Sequence, residues 1–245
     1  MRQIQPRSKS VAHMTLLVSL ALWSAVAEAA PVGRFTQTRF AAYFLATLVV
    51  RQLTGSWIVY EMNQEIRGGT LSRRLLKPVH PLVTYSAENL SALPLRAVLA
   101  LPVTLAALLV VEPGALPHSA LQVGALLVSL LGAWLINFFS MAIIGTLAFF
   151  LESSTAIFEI WLLAFMLLSG YLVPLELFPP WLRGASARLP FRYTLAFPVE
   201  VLTGMLDGRA ILHDLAVQWA YVAGLFAAAL LGWRAGLRRF AAYGG

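Results

Sequence analysis

Four charged side chains stand in or beside runs of sequence suited to hydrocarbon. Arg51 and Arg96 fall inside long apolar runs, Glu159 near the start of another, and Glu88 at the mouth of the run that holds Arg96. At helical rise, Arg51 lies roughly 13 Å from the charged end of its run, Arg96 roughly 10 Å into its own and Glu159 roughly 6 Å. An unpaired charge at such depth costs on the order of 3 kcal/mol or more, so Glu88 or Glu159 is expected to pair with Arg96 or Arg51. Pairs of this kind either lock helices together or line a path for an ion or a substrate. No other residue set offers chemistry. The histidines, His13, His80, His118 and His213, are scattered over the edges of apolar runs and suit neither a metal set nor a catalytic one. His-Glu-x-x-His, Ser/His/Asp spacing, paired aspartates and Gly-x-x-x-x-Gly-Lys-Ser/Thr are all absent, and there is no cysteine. The chain is therefore expected to be no enzyme, with no cofactor or metal of its own.

The elements that carry these residues are membrane helices. Of 245 residues, 59% are hydrophobic and only 12% charged, against about 25% charged in a soluble domain. Several apolar runs reach the roughly 20 residues a helix needs to cross the hydrocarbon core. The alternating segments of a β-barrel are missing. The expected fold is all-α and polytopic, a single domain with six spans, at about 11–30, 39–60, 89–111, 119–151, 155–173 and 215–233. The first run has a basic start (Arg2, Arg7, Lys9) and Ala27-x-Ala29 before Pro31, as a cleavable secretory signal would. Its near-full membrane length favours a retained span. Ten Lys and Arg then lie on one face, among them Arg67, Arg73, Arg74, Lys77 and Arg239, and six on the other, among them Arg34, Arg183, Arg188 and Arg192. That bias places both termini in the cytoplasm. It also accounts for the net charge of +7 through topology and anionic lipid rather than nucleic acid.

Two segments break the pattern. Glu61–Pro81, EMNQEIRGGTLSRRLLKPVHP, is polar and highly charged. Met62 and Ile66 fall one turn apart, as do Leu71 and Leu75. Gly68-Gly69 permits a bend between the two pairs, Thr70 is placed to cap the second short helix, and Pro78 ends it. The expected result is a bent amphipathic element on the cytoplasmic face, a handle for a soluble partner or a helix lying on lipid headgroups. The second segment, 174–204, is rich in proline and aromatics and its apolar pieces are too short to span. It suits a re-entrant or interfacial hairpin on the outer side.

Both segments resemble one family. Glu65-Ile66-Arg67-Gly68-Gly69-Thr70-Leu71, followed by Leu75-Leu76-Lys77-Pro78, resembles the E-I-x-x-G-T-L … L-L-x-x-P stretch after the second span of ABC-2-type exporter permeases. Leu168-Ser169-Gly170, Pro174, Pro179-Pro180-Trp181-Leu182, Leu189-Pro190 and Leu202-Thr203-Gly204 are similar to the outer region between spans five and six. Order and spacing agree over nearly the whole chain, closest to the bacterial branch in which two small permeases work with a separate ATPase. The doubled glycine departs from the single one more usual in the motif. The resemblance implies a permease subunit of the bacterial cytoplasmic (inner) membrane that exports a hydrophobic or amphiphilic substrate. ATP and Mg would be bound by two copies of a cytoplasmic ABC ATPase, beside a second permease, related or identical. Glu65, Arg67, Gly68, Thr70, Leu71, Arg73 and Arg74 would face that ATPase, and Gly170, Pro174, Pro179, Pro180, Trp181 and Pro190 would close the exit. Two other classes stay open on the residues alone: a gradient-driven transporter using the intramembrane charges, and a membrane scaffold that binds a partner through the hairpin.

Overall fold

The computed structural model describes residues 18–19, 21–23, 25, 35–112, 117 and 119–243. Most of the first apolar run therefore lies outside the described residues. Helix α1, Gln37–Thr54, starts where the Thr36 hydroxyl accepts the Arg39 N–H. A break at 55–57 separates it from α2, Ile58–Arg67. Together they form 31 residues long and apolar enough to cross a membrane. A tight turn leads to the one-turn helix α3, Ser72–Leu75. Helix α4, Pro81–Ser91, begins with proline in its first turn, where no N–H is missed. Helix α5, Leu93–Val111, follows at once. The expected third span is thus part of a longer helical stretch that begins at Pro81 and bends by 51° between Val98 and Leu101. Pro102 explains the bend, because it cannot donate to the Val98 carbonyl and its ring crowds that carbonyl.

Helix α6, Ala120–Thr146, is capped by Ser119 and continues through a 3-10 turn, Leu147–Phe149. It is the second helix of spanning length, and the axis of the molecule. Helix α7, Thr155–Leu168, has 14 residues, mostly apolar, about 21 Å of rise, and ends earlier than the expected fifth span. Three short helices follow: α8, Pro180–Ala187; α9, Pro190–Thr194; and α10, Ala196–Leu202. Helix α11, Gly208–Tyr243, has 36 residues and is the third of spanning length. It starts earlier than the expected 215–233, where the Asp207 carboxylate accepts the Ala210 N–H and caps it, and it also ends later.

Packing puts α6 between α2 and α11, with Met62, Phe138, Met141 and Trp233 in one buried cluster. Phe40, Tyr43, Phe44 and Phe165 form a second, where α1 meets α7. Glycine allows close helix contact at several of these crossings, among them Gly232 against Thr146. A Cβ on Gly145 would come within 2.7 Å of Met62, and one on Gly132 within 2.6 Å of Gln218, whereas Gly124 and Gly224 face open space. Helix α11 buries only 17% of its most apolar stretch within the chain, against 67% for the other two spanning helices. Most of its apolar surface is thus left for lipid or another subunit.

Candidate functional site

The Glu61–Pro81 segment folds back on itself around Arg74. Met62 and Ile66 are buried, which fixes the face of α2 and leaves Glu61 and Glu65 beside it. Gly69, at φ +70°, ends the helix in the left-handed region that favours glycine. Its N–H bonds the Ile66 carbonyl and the Leu71 N–H bonds that of Glu65. Leu71 is buried by this turn while Leu75 stays exposed, so only the first of that pair anchors the segment. Thr70 does not cap α3; the cap position is Leu71, and the Ser72 hydroxyl instead donates to the Gly69 carbonyl.

Helix α3 then delivers Arg74 between α2 and α4. Its guanidinium donates to Glu65 at 2.7 Å, to Glu88 at 2.9 Å, to Thr84 at 3.2 Å and to Glu61, and lies 4.2 Å from the Tyr85 ring centroid. Tyr85 donates its hydroxyl to Glu65 at 2.6 Å. Burial alone would lower the Arg74 pKa, but the hydrogen bonds it donates to Glu65 and Glu88 reverse that and raise it above the ordinary arginine value. Of the seven residues expected to face an ATPase, Arg67, Gly68 and Arg73 are exposed, Glu65 and Thr70 are half-buried, and Leu71 and Arg74 point inward. Arg74 is the clasp behind the face rather than part of it.

Beside the exposed residues is a cleft of about 400 Å³ lined by Ile66, Arg67, Phe149, Glu152, Arg239 and Phe240. Three elements meet there: the end of α2, the turn after α6 and the end of α11. Asn63 holds the turn, accepting from both the N–H and the hydroxyl of Ser154 at 3.0 Å. Arg239 stacks 5.5 Å from the Phe150 centroid. The cleft offers two guanidinium groups, one carboxylate and an apolar floor.

At the opposite end Gly170 is the pivot. It has φ +85°, its carbonyl accepts the Tyr43 hydroxyl at 2.8 Å, and a Cβ on it would lie 2.5 Å from that oxygen. Pro174 is buried, Pro180 and Pro190 open α8 and α9, Pro179 is exposed and Trp181 is 74% exposed. Sequence reasoning missed the group that ties this region to α11. Arg192 binds Glu200 and Asp214, each at 2.7 Å, and Gln218 donates to the carbonyls of Ser129 and Tyr193 at 2.9 Å. Burial would lower the Arg192 pKa, but the two carboxylates raise it. The available signal was an arginine 8 residues ahead of one acid and 22 ahead of another, at the edges of a largely apolar stretch.

The four intramembrane charges do not assemble as expected. Glu88 is taken by Arg74. Arg96 donates to the Gly55 carbonyl at 3.1 Å, and Arg51 lies over the Phe165 ring. Glu159 is exposed on α7, and among the described residues no ion pair joins it to either arginine.

A family model described as ABC-2 family transporter protein matches residues 13–244. No curated protein and no solved structure matches the chain.

Proposed function

Because this chain belongs to the ABC-2 family of transporter permeases, we propose that it carries an amphiphilic or hydrophobic substrate out of the cytoplasm, driven by ATP hydrolysed on a separate ABC ATPase. It is a multi-pass membrane transport component, and on this reading its energy comes from a partner. The proposed arrangement has six spans, both termini and the Glu61–Pro81 segment in the cytoplasm, two ATPase copies, and a second permease facing this one.

One observation carries the reading: Arg67 and Arg73 are exposed on a turn whose back is locked by Arg74 to both α2 and α4. A face that is outwardly polar and inwardly rigid transmits force. When two ATPase subunits close on nucleotide, a push on α3 reaches α2 through Glu61 and Glu65 and α4 through Glu88. Both spans then move as rigid bodies rather than the turn yielding. The adjacent cleft, with Arg67 and Arg239 at its rim, adds the ends of α6 and α11 to the surface a partner would grip.

The test is co-purification of an ATPase with the tagged chain from its native membrane. Arg67→Glu combined with Arg73→Glu should abolish it while the chain still inserts. A double variant that keeps its ATPase would refute the docking face. Transport that persists without ATP and collapses with an uncoupler would replace the reading by a gradient-driven one.

A further inference from the structure

The cleft at the Arg67 end is built as a socket. Packing within the chain prepares its floor: Phe149 lies edge-on to Trp233 and to Phe240, with ring centroids 5.7 and 5.9 Å apart. Gly236 gives Phe149 its place, because a Cβ there would overlap the ring. Ile66 closes the floor from α2 and is buried. Asn63 holds the turn after α6 against α2 by accepting both the N–H and the hydroxyl of Ser154. Three helices therefore set the shape before anything binds. Among the described residues the cleft is open, and its volume of about 400 Å³ falls within the range of about 300–1,000 Å³ typical of pockets that bury a small group. Its rim is polar. Arg67, Glu152 and Arg239 line the opening, and Gln64, Gly68 and Ser153 beside it are exposed. Two guanidinium groups against one carboxylate give that rim a net positive charge. An apolar floor inside a charged, wet rim is the anatomy of an anchor point between proteins. A lipid headgroup matches it less well, since Glu152 would repel a phosphate.

We propose that this cleft receives an apolar side chain of the ATPase subunit, with a carboxylate beside it that pairs with Arg239. Phe150 supports the Arg239 guanidinium from one face at 5.5 Å, which leaves the in-plane N–H groups for a carboxylate. This assignment rests on the docking-face reading and deepens it. The last turns of α11, far in sequence from Glu61–Pro81, become a second half of the partner's seat. A subunit seated there holds α2, the turn after α6 and α11 together, so its movement reaches α11 as well as the Arg74 clasp.

The test compares charge reversals at the rim, in the full chain purified with its ATPase from the native membrane. Arg239→Glu should hold the ATPase at least about tenfold more weakly than the natural chain, and Glu152→Arg at least as tightly as the natural chain. Both side chains are exposed, so both variants should elute as folded species. Equal retention by the two variants, or the reverse order, overturns the proposal, because a merely structural role would not follow the sign of the charge. Phe240→Ala should weaken retention and Phe240→Leu should restore part of it; full retention by Phe240→Ala overturns the apolar anchor. Native mass spectrometry of the chain alone, from micelles containing phosphatidylglycerol, decides the other occupant. A bound lipid that Arg239→Glu releases would assign the cleft to a headgroup and overturn the proposal. Loss of the ATPase on Arg67→Glu with Arg73→Glu, but not on Arg239→Glu, refutes the socket and leaves the docking face standing. A natural chain that brings down no ATPase refutes both.

Discussion

Arg74 and its neighbours Arg67 and Arg73 are chemically alike and physically opposite. Arg74 has only 10% of its side chain exposed and holds three carboxylates, so removing it strands acids that lie close together. Glu61 and Glu88 keep 42% and 49% of their side chains in solvent. The loss is therefore set below the 3–5 kcal/mol of a fully buried pair, and Arg74→Ala is expected to cost roughly 2 kcal/mol. Thermal unfolding in detergent, followed by tryptophan fluorescence, measures it. Arg67→Glu with Arg73→Glu should leave the same midpoint within about 0.5 kcal/mol, because neither side chain is buried. A stable double variant that loses its ATPase and an unstable Arg74→Ala chain would separate face from clasp. The sequence did not reveal this division. Arg74 meets Glu61 and Glu88 across 13 and 14 residues, a pairing that exists only once the glycine turn has folded α3 back. The expected Glu88–Arg96 pair could have been rejected on spacing, since eight residues of helix separate the two by about 12 Å.

At the scale of elements, the two turns that frame the molecule use glycine for different reasons, and substitution separates them. Gly69 at φ +70° has open space where a Cβ would go, so Gly69→Ala carries only the left-handed backbone penalty, about 1 kcal/mol. Gly170 at φ +85° has Tyr43 and Ala196 against it, and Gly170→Ala adds overpacking of about 1–3 kcal/mol to that penalty. Tyr43→Phe should cost about 1–3 kcal/mol by leaving the Gly170 carbonyl without its partner. Unfolding midpoints of the three variants, ordered Gly170→Ala lowest, check this; equal effects at the two glycines would count against the close contact. Local signals of this type were readable beforehand: Gly68-Gly69 marked the end of α2 and Pro81 the start of α4. The start of α11 was readable too, through Asp207 ahead of a helical run, but hydropathy alone set the expected boundary at 215 and hid it. With that boundary Asp214 looked like a loop residue, and its bond to Arg192 had no place in the reading.

For the whole molecule the question is which end faces the cytoplasm, because only that end can meet an ATPase. The positive residues argue for the Arg67 end. The structure brings Arg67 and Arg239, far apart in the sequence, to one cleft, so two of those positive residues share one surface. The Gly170 end instead presents Trp181 at 74% exposure, in the amphipathic style of a headgroup-level aromatic. With no native cysteine, single substitutions Arg73→Cys and Trp181→Cys report each end without background. A membrane-impermeant maleimide added to intact cells should label the Trp181 position at least about tenfold faster than the Arg73 position, and permeabilisation should equalise them. Fast labelling at Arg73 in intact cells would turn the docking face away from the compartment where ATP is hydrolysed. The Arg74 clasp would still hold α2 to α4, but it would transmit no stroke, and the two ends of the molecule would have to exchange roles.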